Sequence, residues 1–260
     1  MLLAVNVGNT NTVLGVFQGD DLKWQWRVST ERERTADELA VVFGSLLAQH
    51  DLSFSRQITG VVVSSVVPPT TQALREMVTR YFAFPPVVVE PGTRTGLPIL
   101  TDNPREVGAD RIVNALAAFQ RYGGPCIVID FGTATTYDVV SAKGEFLGGA
   151  IAPGLQVSNR VLASATARLP QVELHAPRSA IGRNTVEAIQ SALIYGTAAE
   201  VDGMIDRMAA ELGDGVTVVA TGGLAPVVMP HCRHELEHDP WLTLEGLRLV
   251  FERNVGTGDA

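Results

Sequence analysis

A chain of 260 residues that is 46% hydrophobic and 18% charged, with 25 glycines and 14 prolines, has the composition of a globular protein with a full core, which excludes a disordered or fibrous one. Its 28 acidic and 20 basic side chains leave a net charge of −8 with no basic run, and this excludes general affinity for nucleic acid. Cys126 and Cys232 make no CxxC or paired framework, no apolar run approaches the ~18 residues of a membrane span, and no cation precedes Lys23, so a cytoplasmic protein with neither leader nor membrane anchor is expected.

In chain order, residues 2–7, 12–18 and 22–28 predict three short antiparallel strands joined by Gly-containing turns. Leu39, Val42, Phe43 and Leu46 recur at helical spacing and predict a helix over 35–50. A doubly buried strand over 60–67 and helices over 69–81 and 104–122 follow. Residues 126–130, 135–140 and 145–151 then repeat the three-strand pattern. At an offset of 124 residues, Leu3 to Thr12 lies over Ile127 to Thr136, so that strand, glycine and final threonine coincide. A repeat of about half the chain predicts two similar α/β domains, 1–118 and 119–260, since solenoid periods are only ~20 to 50 residues. A long helix over 185–212 is opened by Asn184, with Glu187 three residues on to complete a capping box. Gly196 and Gly203 share one face of it, where they either admit close packing by another helix of this chain or a partner, or are simply tolerated. The strand 216–220 runs into Thr221-Gly222-Gly223-Leu224, and 244–254 predicts a terminal helix.

The turns after the two equivalent strands concentrate glycine, hydroxyls and an Asx residue where backbone amides are free to clasp an anion. Either turn alone reads as readily as an ordinary hairpin. Together they would make a phosphate clamp, and the strand-Gly-Gly turn at 221–223 offers bare backbone on which an adenosine can lie. Neither GxxxxGK[ST] nor GxGxxG occurs, so a P-loop and a dinucleotide fold are unsupported.

Two phosphate turns followed by strand-Gly-Gly resemble the superfamily of sugar kinases, actin and Hsp70-type ATPases. Asn-Val-Gly-Asn-Thr-Asn-Thr (6–12), Glu-Val-Gly-Ala-Asp-Arg (106–111), Asp-Phe-Gly-Thr-Ala-Thr-Thr (130–136), Gly-Gly-Ala-Ile-Ala-Pro-Gly (148–154), Gly-Arg-Asn-Thr (182–185) and Ala-Thr-Gly-Gly-Leu (220–224) narrow the resemblance to type III pantothenate kinase, along essentially the whole chain. That resemblance implies two tandem ribonuclease-H-like domains with mixed sheets and an active site in the cleft between them. It implies ATP-dependent phosphorylation of pantothenate to 4′-phosphopantothenate, the first step of coenzyme A biosynthesis, by a cytoplasmic homodimer requiring Mg²⁺ and a monovalent cation, K⁺ or NH₄⁺. For ATP it implicates Asn6, Val7, Gly8, Asn9, Thr10, Asn11, Thr12, Val13, Thr133, Gly222 and Gly223. For pantothenate it implicates Thr101, Gly108, Ala109, Asp110 and Arg111, with Thr185 reaching in from the neighbouring subunit. Asp130 would ligate the monovalent cation, and Asn6 stands at the Mg²⁺ position.

Phosphoryl transfer to an alcohol needs phosphates held in line, their charge offset, and a base for the hydroxyl proton. Asp110, near the positive end of a predicted helix and beside Arg111, is the candidate base; the bland alternative is a helix-capping aspartate. Two residues depart from the family pattern. Asn6 stands where the family has Asp, and the internal repeat places Asp130 at the equivalent position; an amide brings no negative charge to organise Mg²⁺. Thr101 stands where the family usually offers Tyr. These departures leave two further readings: a nucleotide-binding accessory or regulatory homologue with little turnover, and a kinase acting on another alcohol or carboxylate. His234-Glu235-Leu236-Glu237-His238 fits HExxH, but Pro230 and Pro240 bracket it, so a short solvated helix with incidental histidines is expected in place of a zinc site.

Overall fold

The structure is a computed structural model and describes residues 1–82 and 84–255. They divide into two units: 1–97, 103–117 and the chain from Leu242 form the first, and 98–102 with 118–241 the second.

In the first unit β1 (Leu2–Val7), β2 (Asn11–Gln18) and β3 (Asp21–Ser29) form an antiparallel meander, with β4 (Gly60–Ser65) parallel to β1 and β5 (Val87–Val88) parallel to β4. The central strands β1 and β4 are buried on both faces, as their continuous apolar runs require, while β3 at the edge alternates and turns Leu22, Trp24, Trp26 and Val28 inward. Helix α1 (Ala36–Ala48) is opened by a capping box in which Thr35 Oγ1 accepts from Glu38 N at 3.3 Å and Glu38 Oε2 accepts from Thr35 N at 2.8 Å. Helix α2 (Pro68–Tyr81) begins on Pro68, whose missing N–H costs nothing at that position. Leu39, Phe43, Leu74 and Met77 of these helices join Leu3, Val5, Leu14 and Val63 of the sheet in one core, each buried side chain stabilising by about 1.5–3 kcal/mol.

The single helix predicted over 104–122 is divided: a 3₁₀ turn at Pro104–Glu106 precedes α3 (Ala109–Tyr122), which runs from the first unit's residues into the second's. In the second unit β6 (Cys126–Phe131), β7 (Ala134–Val140) and β8 (Phe146–Pro153) are antiparallel neighbours, β9 (Thr217–Thr221) lies parallel to β6, and β10 (Glu237–His238) parallel to β9. The order β8-β7-β6-β9-β10 reproduces β3-β2-β1-β4-β5, so the chain is α/β with two tandem ribonuclease-H-like units built on mixed sheets.

The repeat is offset differently on either side of its turn. Val7 pairs with Thr12, whereas Phe131 pairs with Thr135. The second turn is therefore one residue shorter, and Thr135, in place of the expected Thr136, is the counterpart of Thr12; both are buried. The central strands match at 124 as predicted.

Helix α4 (Leu155–Ala165) follows β8, and α7 (Ala225–Val228) follows β9. The long helix over 185–212 is present, but as α5 (Thr185–Ser191), a π turn at Ala192–Gly196 and α6 (Thr197–Leu212). Asn184 Oδ1 caps Glu187 N at 2.9 Å, while the Glu187 carboxylate turns to Arg183 N and the Arg178 guanidinium, so only half of the predicted capping box forms. A β-carbon at Gly196 would meet nothing within 4 Å and one at Gly203 only the Arg207 guanidinium, so among the described residues the pair makes no close helix packing. Ile194, Val201 and Ile205 bury the inner face against Ile127, Ile129 and Tyr137.

The units are not simple halves of the chain. Residues 98–102 join the second through Leu100 N to Phe146 O and Phe146 N to Pro98 O, both 2.8 Å. The terminal helix α8 (Leu242–Val255) joins the first, where Leu244 packs on Gly15 and Phe251 on Gly60 so closely that neither glycine has room for a β-carbon.

Candidate nucleotide and acceptor site

In the first turn Gly8 N donates to Asn11 O at 2.9 Å, and the absence of a side chain lets the chain fold back on itself there. Asn9, Thr10 and Asn11 are exposed at its tip, whereas Val7 and Thr12 are buried beneath it and Val13 is half-buried. The loop before α1 braces this turn: Thr30 N donates to Thr10 O at 2.9 Å, and the Thr12 and Thr30 hydroxyls lie 2.9 Å apart. Asn6 is half-buried and pairs with Val13 and Ser64. Ser64 is fully buried, and among the described residues its Oγ has no hydrogen-bond partner.

The second unit carries the other turn and the Gly-Gly segment. Gly132 N donates to Ala134 O at 3.0 Å and Gly154 N to Thr133 O at 3.2 Å, which leaves Thr133 exposed at the tip. Gly222 has φ +90° and lies directly against Asp130: a β-carbon would collide with Asp130 Oδ1 and come within 2.6 Å of Phe131 N. Leu224 N donates to Phe131 O at 3.3 Å, so the turn that includes Gly222 and Gly223 is held on the end of β6. The glycine is thus required twice, for its backbone conformation and for the room it gives the Asp130 carboxylate.

The residues expected to hold the acceptor lie in three segments of the chain. Gly108 opens α3, its carbonyl accepting from Ile112 N at 3.2 Å, with Ala109, Asp110 and Arg111 in the first turn. Asp110 is half-buried and its Oδ1 accepts from Arg111 N at 2.9 Å, which turns the carboxylate back over the helix start. Thr101, in the second unit, has a buried hydroxyl without a partner among the described residues. Thr185 is exposed at the first position of α5, on the rim of an open depression of about 530 Å³ that Leu162, Leu169, Ala188 and Ile189 also line.

The HExxH segment does not form the expected short helix. Residues 229–231 make a 3₁₀ turn and Glu237–His238 is strand β10, so the two histidines are never on one helical face. Asp202 accepts from Arg233 N and His234 N, and Asp206 Oδ1 lies 2.7 Å from His234 Nε2, a contact that holds the Asp206 carboxyl below its usual range. These bonds pull the segment onto α6 and leave the strand edge for β10 to occupy.

Two residues beside the first turn carry no signal in the sequence. Ser64 is in a valine-rich strand, and only the pairing register brings it opposite Asn6. Arg32 reaches the first turn from a loop more than twenty residues away. No local motif announces either.

Residues 2–207 match the family model for type III pantothenate kinase. The chain belongs to that family. It is 55% identical over 262 residues to the type III pantothenate kinase of Streptomyces coelicolor, covering 98% of this chain and 99% of that protein. It is 58% identical over 256 residues to the type III pantothenate kinase of Parafrankia sp., again covering 98% and 99%. As a type III pantothenate kinase family member the chain is a kinase. Its fold is similar to that of the activator of 2-hydroxyisocaproyl-CoA dehydratase from Clostridium difficile, solved with ADPNP, at a TM-score of 0.55 and 13% identity over 100% of this chain and 98% of the other.

Proposed function

We propose that the protein transfers the γ-phosphoryl group of ATP to the primary hydroxyl of pantothenate, giving 4′-phosphopantothenate and ADP, the first step of coenzyme A biosynthesis. The observation that carries this reading is Asp110. It is a half-buried carboxylate at the open start of α3, in the family's Gly-Ala-Asp-Arg motif, in a chain that also supplies both glycine turns and the Gly222 turn. The Gly8 and Gly132 turns and Thr133 offer donors to the phosphates, and the Gly222-Gly223 backbone offers a surface to the adenosine. Asp110 accepts the hydroxyl proton as the oxygen attacks phosphorus, and ADP leaves as the P–O bond to it breaks. Gly108, Ala109, Arg111 and Thr101 position the acceptor.

The residues present fit a cation unevenly. The Asp130 carboxylate, in the space Gly222 leaves, suits K⁺ or NH₄⁺; Asn6 and the orphaned Ser64 hydroxyl are neutral oxygens suited to the water shell of Mg²⁺. Mg²⁺, when bound, offsets the charge of the transferring phosphoryl group. With Asn6 in place of a carboxylate, this chain supplies one negative charge fewer to hold it, and turnover is slowed accordingly.

A homodimer fits the exposure of Thr185, which is free to complete a neighbour's acceptor site, and a cytoplasmic location fits the pathway. A coupled ADP-release assay with pantothenate, and with a panel of other small alcohols, tests the activity, and light scattering the dimer. A strictly monomeric protein that turns over would remove the shared site. Asn6 favours a second reading, a nucleotide-binding homologue with little turnover, and bound ATP without ADP release on any acceptor would select it.

A further inference from the structure

We infer that Arg32 is a phosphate-binding residue of the nucleotide site, acting both by its own charge and by fixing the side chain of Asn9. The inference rests on the proposal that the Gly8 turn holds nucleotide phosphates. Arg32 Nη2 donates to Asn9 Oδ1 at 3.1 Å, across 23 positions of sequence. The contact is held from both sides: Thr30 N is bonded to Thr10 O and the two threonine hydroxyls meet below, so the loop carrying Arg32 is tied to the turn it reaches.

The bond has two chemical consequences. An asparagine amide has one acceptor and one donor group, and Arg32 occupies the acceptor, so the Asn9 NH₂ is left at the exposed tip of the turn as a donor. A donor there suits an anion. The guanidinium itself spends one of its five N–H groups on Asn9, and among the described residues neither flanking carboxylate, Glu31 nor Glu33, pairs with it. Its charge therefore stands beside a turn of exposed backbone and hydroxyl groups with most of its donors uncommitted, the arrangement that recognises phosphate oxygens. The same charge falls in the unit where Asn6 has removed a carboxylate, so the first turn binds anions with a more positive balance than the second, where Asp130 is retained.

Titration of ATP into the unmodified chain, Arg32→Gln and Arg32→Lys over a range of KCl concentrations tests this, with the unliganded melting temperature of each recorded. Expected is about a tenfold loss of ATP affinity in Arg32→Gln, the worth of one charge-assisted contact, with a flatter dependence on salt. Arg32→Lys should keep the salt dependence of the unmodified chain and recover part of the affinity. Equal affinities and salt slopes in all three proteins would overturn the inference. A loss of affinity in Arg32→Gln at an unchanged salt slope would overturn it too, by making Arg32 only a brace for the turn. Absence of ATP binding in the unmodified chain would overturn the nucleotide reading and this assignment with it.

Discussion

Gly222 and Asp130 fit together as a peg and its recess: the carboxylate of one occupies the volume that any other residue's β-carbon would fill at the other, at a backbone φ of +90°. Alanine at 222 must therefore both adopt a left-handed conformation and displace Asp130. Gly222→Ala should destabilise the protein by about 2–4 kcal/mol and weaken nucleotide binding more than a purely structural lesion of that size would. Thermal unfolding with and without ATP reads both effects, and an unchanged melting temperature would show that the turn can reshape at no cost.

Asn6→Asp should raise turnover with Mg²⁺ by ~10²- to 10³-fold, the usual worth of one preorganised electrostatic group in such a site. The side chains are nearly isosteric, so the unliganded melting temperature should stay the same, and the larger ligand-induced shift should appear in the Asp form only with Mg²⁺ and ATP together. Equal turnover in the two forms would remove position 6 from metal organisation.

How much of this was legible in the sequence is clear from residues 6 and 130. The equivalence of Asn6 and Asp130 needed only the repeat, because each is the penultimate residue of a central strand whose apolar run is unmistakable. The one-residue difference between the turns was hidden, since glycine and threonine recur close enough together to align at the wrong spacing and only ladder pairing distinguishes Thr135 from Thr136. The π turn at 192–196 left no trace either: every residue there is compatible with an α-helix, and the wider turn is a choice of hydrogen bond rather than of side chain. The HExxH segment is not a helix: Asp202 and Asp206, some thirty positions away, take the backbone N–H groups of Arg233 and His234 and the His234 ring, contacts no local pattern announces. Asp110 does stand in the first turn of a helix, as expected, but that helix begins at Ala109 and not at Pro104; Val107 and Gly108, both poor helix formers, mark the break.

Asp110→Asn should leave ATP affinity nearly unchanged and lower turnover by ~10²- to 10⁴-fold, separating binding from proton transfer. Steady-state kinetics beside ATP titration measure this. A parallel collapse of ATP binding would make Asp110 a structural or metal-holding residue and send the search for a base elsewhere.

Neither thiol should react in the native protein near neutral pH. Burial pushes Cys126 up to about 12, and burial with a further contribution from Asp202 pushes Cys232 up to about 11, so at pH 8 both remain neutral thiols and poor nucleophiles. Iodoacetamide labelling followed by mass spectrometry should find both unmodified at pH 8, Cys232 reacting only as the pH nears 11, and both modified in urea. Rapid labelling of Cys232 at pH 8 would show that the segment following α7 lifts away from α6.

The placement of α8 has a consequence for synthesis. Strand β1 is made well before the helix that covers its sheet, α8, whose Leu244 packs on Gly15 of β2 and Phe251 on Gly60 of β4. Every residue of the second unit has been made by Trp241, so that sheet can close while the older one is still waiting for its lid. Completion of the first sheet thus waits on residues made after the whole of the second, and a stop within α8 injures a sheet made well before it.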